Sequence, residues 1–353
     1  MLTINTMKAL QRITILLAVI GFIGADAALA QFDTTTRAVT KRGTTAADFL
    51  NIPVGARATA MGNAVTATID DATSVYWNPA GLTAMEGGGF AGEYAQWLAG
   101  VEFNFVSVVF PAAGGKLAVG ITSMRTADME VTTVANPNGT GETFDAASYA
   151  IALTYARALT DRFSIGASIK QINERIWNSG ASGTAVDIGT QFVTPFRGIR
   201  LGASISNFGS KLKLTGDDLL VRVDIDPANA GNNESNRASL NTDEFDLPLT
   251  MRIGLAGEAY QSGTTRLTLA VEALNPNSSE QYLNIGAELG LLNDLVMLRG
   301  GYSELLLDDA VRSFSVGAGL RYRFAPLNFS FDYAYEAQEY FADVNRFTMA
   351  ILF

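Results

Sequence analysis

The sequence predicts an all-β protein: a transmembrane antiparallel β-barrel of roughly fourteen strands with a short N-terminal hatch segment in its lumen. Three observations predict it. From residue 89 to Phe353, segments of roughly ten residues alternate apolar and polar side chains. The connections between them alternate short and long, the pattern of a barrel whose two rims face different compartments. The N-terminus reads as an export signal, and no later run is long and apolar enough to span a membrane as a helix.

In residues 1–30, Lys8 and Arg12 precede the apolar run Ile13–Ile23, and Ala28-Leu29-Ala30 supplies small residues for signal cleavage near Gln31. Residues 31–46 are Thr-rich and polar, a flexible lead. Residues 47–88 hold Ala- and Val-rich pieces punctuated by Gly and Pro, which predict short helices and turns in place of a membrane strand. Asn78, ahead of Pro79, is expected outside the α region, and Gly81 is expected to take a positive φ and turn the chain into the barrel. Gly87-Gly88-Gly89 lacks the helix and Lys of a phosphate-cradling loop and reads as a hinge into the first strand.

Residues 89–353 form the barrel. Phe314, Val316, Ala318, Leu320, Tyr322 and Phe324 share one face, opposite Ser313, Ser315, Gly317, Gly319, Arg321 and Arg323. Leu327, Phe329, Phe331, Tyr333 and Tyr335 do the same against Asn328, Ser330, Asp332, Ala334 and Glu336. A soluble sandwich also alternates, but its loops do not differ systematically between its two ends. Here short connections fall at 111–116, 158–162, 194–198, 261–264, 292–295 and 325–326. Longer polar ones fall at about 126–146, 173–182, 208–246, 275–281, 304–310 and 336–343. An even strand number returns the C-terminus to its starting side, so both termini are expected in the periplasm and the long loops outside a Gram-negative cell. Tyr322, Tyr333, Tyr335 and Phe353 suit an aromatic girdle.

The inward faces carry Lys170, Arg252, Glu258, Glu272, Glu288, Arg299, Arg321, Arg323, Asp332, Glu336 and Arg346. Such a set forms either a mutually neutralising network that stiffens the interior or a selective path. Fourteen strands enclose more space than side chains alone fill, and the segment at 47–88 is the candidate filler.

The chain has a net charge of −10, no Cys and no His. Acidity argues against a nucleic-acid partner. The missing Cys removes disulfides and thiolate chemistry, and the missing His removes the usual general base, so no catalytic residue, metal or cofactor is assigned.

The run Phe49-Leu50-Asn51-Ile52-Pro53-Val54-Gly55-Ala56-Arg57-Ala58, then Ala60-Met61-Gly62, Asp70-Asp71-Ala72 and Trp77-Asn78-Pro79-Ala80-Gly81, resembles the PorV/PorQ family, within the FadL-like fourteen-stranded outer-membrane barrels. The likeness extends less specifically over the barrel to Phe353. It differs after Arg57, where Ala58-Thr59-Ala60-Met61-Gly62-Asn63 replaces a Gly-Gly-Met-Gly-Asp-like stretch. The resemblance implies a lumenal hatch and a role in type IX secretion, engaging the C-terminal domains of secreted cargo and passing them to translocon or surface-attachment proteins. From the residues themselves, Arg57 with Asp70 and Asp71 either locks the hatch to lumen charges or touches a ligand, and Trp77 is a packing anchor or a recognition residue. The longest loop carries Asp217, Asp218, Asp224, Asp226, Asp243, Glu244 and Asp246. It has no EF-hand spacing and is read as solvated or as a partner surface. Three functions remain open, each for a barrel in outer-membrane lipid: a type IX cargo-binding barrel, a FadL-like channel for hydrophobic small molecules, and a structural barrel without a transport role.

Overall fold

The computed structural model describes residues 41–226, 228–229 and 235–353, so the expected signal peptide and residues 31–40 of the lead lie outside the described residues. Fourteen long strands close into one antiparallel barrel. They are β1 (Gly89–Gln96), β2 (Glu102–Ala112), β3 (Gly115–Arg125), β4 (Ala146–Thr160), β5 (Phe163–Ile176), β6 (Ser179–Val193) and β7 (Arg200–Gly209). The second half comprises β8 (Thr250–Ser262), β9 (Thr265–Pro276), β10 (Tyr282–Leu291), β11 (Val296–Leu305), β12 (Arg312–Phe324), β13 (Leu327–Gln338) and β14 (Val344–Leu352). Each strand pairs with its sequence neighbours, and β1 pairs with both β2 and β14, so no edge strand is left open.

Period-two alternation explains the wall. Outward positions expose Val106, Ile121, Ile151, Ile169, Ile188, Ile253, Leu298, Val316 and Phe331 as an apolar belt, while Ser107, Ser168, Asp187, Arg299 and Asp332 point inward and are buried. One rim carries the tight turns 113–114, 161–162, 263–264 and 325–326 with the somewhat longer 194–199 and 292–295. The opposite rim carries 126–145 and 210–249, and also 97–101, 277–281, 306–311 and 339–343. The expected loop at 173–182 is instead a tight turn at Trp177-Asn178. β5 and β6 stay paired as far as Ile176 and Ser179. Their ends stand above the apolar belt, where both faces are wet and alternation fades from the sequence.

Before β1 the chain crosses the lumen once. Arg42 donates to the carbonyls of Asp309 (2.7 Å) and Asp308 (3.2 Å) at the long-loop rim, and the Ala46 N–H donates to Asp246 O at 2.9 Å. Residues 41–46 of the polar lead are thus tied to that rim. The hatch then runs through a 3-10 turn (Asp48–Asn51), helix α1 (Ala56–Ala60), helix α2 (Ser74–Trp77) and a second 3-10 turn (Pro79–Ala84) to the short-turn rim. Phe49, Val54, Met61, Val65, Ile69, Val75, Trp77 and Leu82 pack with the wall residues Phe103, Phe105 and Ile172 into one apolar core at the barrel centre. The hatch supplies the hydrophobic interior that a barrel this wide otherwise lacks.

Closure depends on the glycine run. Gly87 has φ +74°, and Gly88 and Phe353 exchange main-chain hydrogen bonds of 2.8 and 3.0 Å that extend the β1–β14 ladder. The Phe353 ring lies where a side chain at Gly88 would stand, 2.6 Å from an ideal Cβ. Gly88→Val should therefore overpack the seam and cost about 1–3 kcal/mol. A lower temperature for the gel-mobility shift between folded and unfolded barrel would register that loss, and an unchanged temperature would show that Phe353 needs no such seat.

Candidate functional site

The hatch is held by three kinds of contact, beginning with its own turns. Asn78 is extended (φ −156°), as a residue before proline should be. Its Oδ1 accepts from Ala80 N at 3.1 Å to cap the second 3-10 turn. Its Nδ2 donates to Thr66 O (2.9 Å) within the hatch and to Thr190 O (3.0 Å) on β6, so one fully buried amide joins hatch to wall. Trp77 is an anchor: its Nε1 donates to Val54 O at 2.7 Å and its ring meets Tyr76 edge-on at 5.0 Å. Gly81 does not have the expected positive φ. It lies inside the 3-10 turn, where an added Cβ would be 2.5 Å from Ile69 O, so close approach explains it, and the turn into the barrel falls to Gly87.

The second contact is steric. Inward-facing wall glycines sit directly beneath the hatch: Gly166 under the main chain of Pro79, Gly202 under Thr66, Gly286 under Met61 and Gly301 under Gly62, with Gly189 beneath the Asn78 side chain. A methyl group at any of them would overlap the hatch. This girdle covers β5 to β7, β10 and β11, and its signal in the sequence is an isolated glycine at inward parity within a strand.

The third contact is ionic. Arg57 donates to Asp70 and, at 3.2 Å, to Asp71 within the hatch, and reaches Glu288 on β10 at 3.3 Å. Glu288 also takes Arg299 at 2.7 Å and Arg266 at 2.8 Å, and Arg299 reaches Asp332 at 2.6 Å. Arg266 extends the chain to Asp294 (3.0 Å), and Arg200 pairs with Glu258 at 2.9 Å. A second cluster centres on Arg346, fully buried, 3.0 Å from Glu93 and 3.7 Å from Glu336, with its guanidinium 4.9 Å from the Trp97 ring centre. Arg312 continues it, 3.9 Å from Glu336 and 3.8 Å from Glu304.

Of the inward charges named from sequence, Glu258, Glu288, Arg299, Asp332, Glu336 and Arg346 fall in these clusters, while Glu272 accepts from Thr66 N (2.8 Å) and Thr66 Oγ1 (2.9 Å) of the hatch. Lys170 stands apart, paired with Asp187 at 2.6 Å and donating to Asn207 Oδ1 at 2.9 Å near the base of the long loop. Arg252 bonds Ser206 Oγ and lies 5.5 Å from the Trp77 ring centre. Arg321 lines cavities on the short-turn side, and Arg323 is exposed. Glu93, Arg266 and Arg312 join these clusters without being among the inward charges named above. Parity alone identifies Glu93, which alternates inward with Ala91 and Ala95, whereas Arg266 and Arg312 sit at strand ends where the phase is weak. The acidic loop residues do not converge on one point. Asp218 caps the Trp177-Asn178 turn through Asn178 N and Ser179 Oγ, Asp224 accepts from Asp226 N, and Asp226 accepts from Asn229. Asp217, Asp243 and Glu244 lie on the solvent side of the same loop.

Of the cavities among the described residues, two lie on opposite sides of the hatch. One of about 280 Å³ opens toward the long-loop rim, bordered by Tyr76, Trp77, Trp97, Leu274, Tyr282 and Arg252. The other, about 260 Å³, lies on the short-turn side against Arg57, Met85, Phe90, Phe329 and Leu352. Both are smaller than a drug-sized site; aromatic rings line the outer one, and both carry a few charged groups.

No protein-family model matches this chain, and no curated protein matches it. Solved structures match its fold. The CymD monoaromatic hydrocarbon channel aligns with a TM-score of 0.53 at 14% identity, over 85% of this chain and 96% of that one. The Pseudomonas putida toluene transporter TodX aligns with a TM-score of 0.54 at 13% identity, over 84% and 96%. At such identity the likeness is one of fold alone, a fourteen-stranded antiparallel barrel, and the PorV/PorQ membership implied by the hatch motifs is not confirmed.

Proposed function

We propose that this protein is an outer-membrane channel for small hydrophobic molecules, including monoaromatic hydrocarbons, in which the hatch separates an outer from an inner vestibule. The observation that carries it is the pair of cavities stacked on either side of a hatch that fills the lumen, the outer one lined by Tyr76, Trp77, Trp97 and Tyr282. The fold shared with two hydrocarbon channels supports the same reading. In this proposal the short-turn rim and Phe353 face the periplasm, the long loops face outward, and the apolar belt meets lipid. Its ionic clusters stiffen the barrel and seat the hatch. Trp77 and Trp97 border the outer cavity, so titration with toluene should quench tryptophan fluorescence saturably. A response that stays linear with concentration, as for partitioning into detergent, would count against a built site.

A second reading keeps the secretion role implied by the hatch motifs, with the long loops engaging cargo C-terminal domains or translocon proteins. What favours it is the exposure of Leu220, Ile225, Leu240 and Phe245 beside Asp217, Asp243 and Glu244 on the loop 210–249. Affinity isolation from solubilised membranes should then recover secretion components, and removal of 212–244 should lose them.

A further inference from the structure

Along the hatch the two cavities come within two residues of each other at 53–55. Pro53 borders the outer cavity and Gly55 the inner one, so the partition there is the short hatch stretch 53–55 with Val54 fully buried between them. The wall behind it is β14 and β1. Arg346 Nη1 donates to Pro53 O (2.8 Å), the Gly55 N–H donates to Glu93 Oε2, and the Ala56 N–H donates to Thr348 Oγ1 (2.8 Å). This stretch of the hatch is held by side chains of β14 and β1 alone, whereas the part over β5 to β9 both rests close on wall glycines and is bonded by Gln191, whose Nε2 donates to Ile69 O (3.0 Å), and by Glu272, which accepts from Thr66 N (2.8 Å).

The clasp is also imperfectly satisfied. Arg346 Nε and Nη2 and both Glu336 oxygens are buried without a hydrogen bond, and the Arg346–Glu336 separation of 3.7 Å is too long for one. Gly55, at φ +91°, supplies a backbone pivot at the start of α1 that other residues rarely adopt.

We infer that the route past the hatch follows the β14–β1 wall, that residues 53–55 are its gate, and that Arg346 and Glu93 are the positioning residues that hold it shut. The inference rests on the transport reading above, and it confines opening to one stretch while residues 57–82 remain seated. It differs from a hatch that leaves the barrel as a body, because the glycine girdle keeps its contacts in both states.

The absence of cysteine makes the test direct. Val54→Cys and Val65→Cys place matched thiols at two buried hatch positions, 0% and 1% exposed, one at the clasp and one above the girdle. In the folded full-length protein, a small maleimide should modify position 54 at least roughly tenfold faster than position 65, as a local opening requires. Glu93→Gln, or Arg346→Lys where that variant folds less well, should accelerate modification at 54 and leave 65 unchanged. Equal protection at the two positions, faster reaction at 65, or parallel acceleration of both would overturn the inference. Selective reaction at 54 in a protein that carries no hydrophobic solute would instead defeat the transport reading and leave the local opening standing.

Discussion

Deleting residues 47–84 should convert a closed barrel into an open pore. The barrel wall is continuous without the hatch, since every long strand is paired on both sides. What the deletion removes is the apolar centre, from Phe49 to Leu82, together with the Arg57 link to Glu288. Apart from Phe103, Phe105 and Ile172, the remaining inward faces carry mainly small, polar and charged residues, so water should fill the space. Planar-bilayer recordings should show no resolvable current for the intact protein and stable large openings for the deletion variant. Equal currents from both would mean that the hatch does not close the lumen. Loss of the folded band on an unboiled gel would mean that the wall depends on the hatch for its stability.

Replacing Arg299 by Met should be the most damaging single substitution in the wall. Its guanidinium is fully buried and serves two carboxylates, Glu288 at 2.7 Å and Asp332 at 2.6 Å. Glu288 keeps Arg57 and Arg266, but no other salt bridge joins Asp332 among the described residues. Breaking a buried ion pair from one side costs about 3–5 kcal/mol because the remaining charge loses its partner. Equilibrium unfolding in urea should register that loss, and the added variant Asp332→Asn should recover part of it by removing the stranded charge. If Arg299→Met alone unfolds at the wild-type midpoint, the network is incidental to the fold.

The wall was legible from the sequence because each strand is wet on one face and apolar on the other. Phe314 to Phe324 and Leu327 to Tyr335 announce the phase directly. Legibility failed where that contrast ends: β5 and β6 project beyond the apolar belt, and their polar tips at 173–182 resemble a loop. The hatch was legible as helices and turns, and Asn78 as an extended residue, since proline restricts its predecessor locally. Gly81 was misjudged because its constraint is tertiary, a neighbouring carbonyl and not a backbone angle. Arg57 with Asp70 and Asp71 lies within one short segment and could be paired by inspection. The Arg346–Glu93 contact joins the two ends of the barrel, and its partner choice depends on closure. The girdle was present in the sequence as isolated inward glycines, but what they lie beneath appears only once the hatch is threaded.

Uptake of a radiolabelled small hydrophobic probe into vesicles carrying the purified protein tests transport most directly. Vesicles with the intact protein should fill faster than empty ones. Fixing Val54→Cys to a second cysteine introduced on β14 should return the rate to that of empty vesicles. Uptake no faster than in empty vesicles, with the barrel folded and inserted, would contradict a channel.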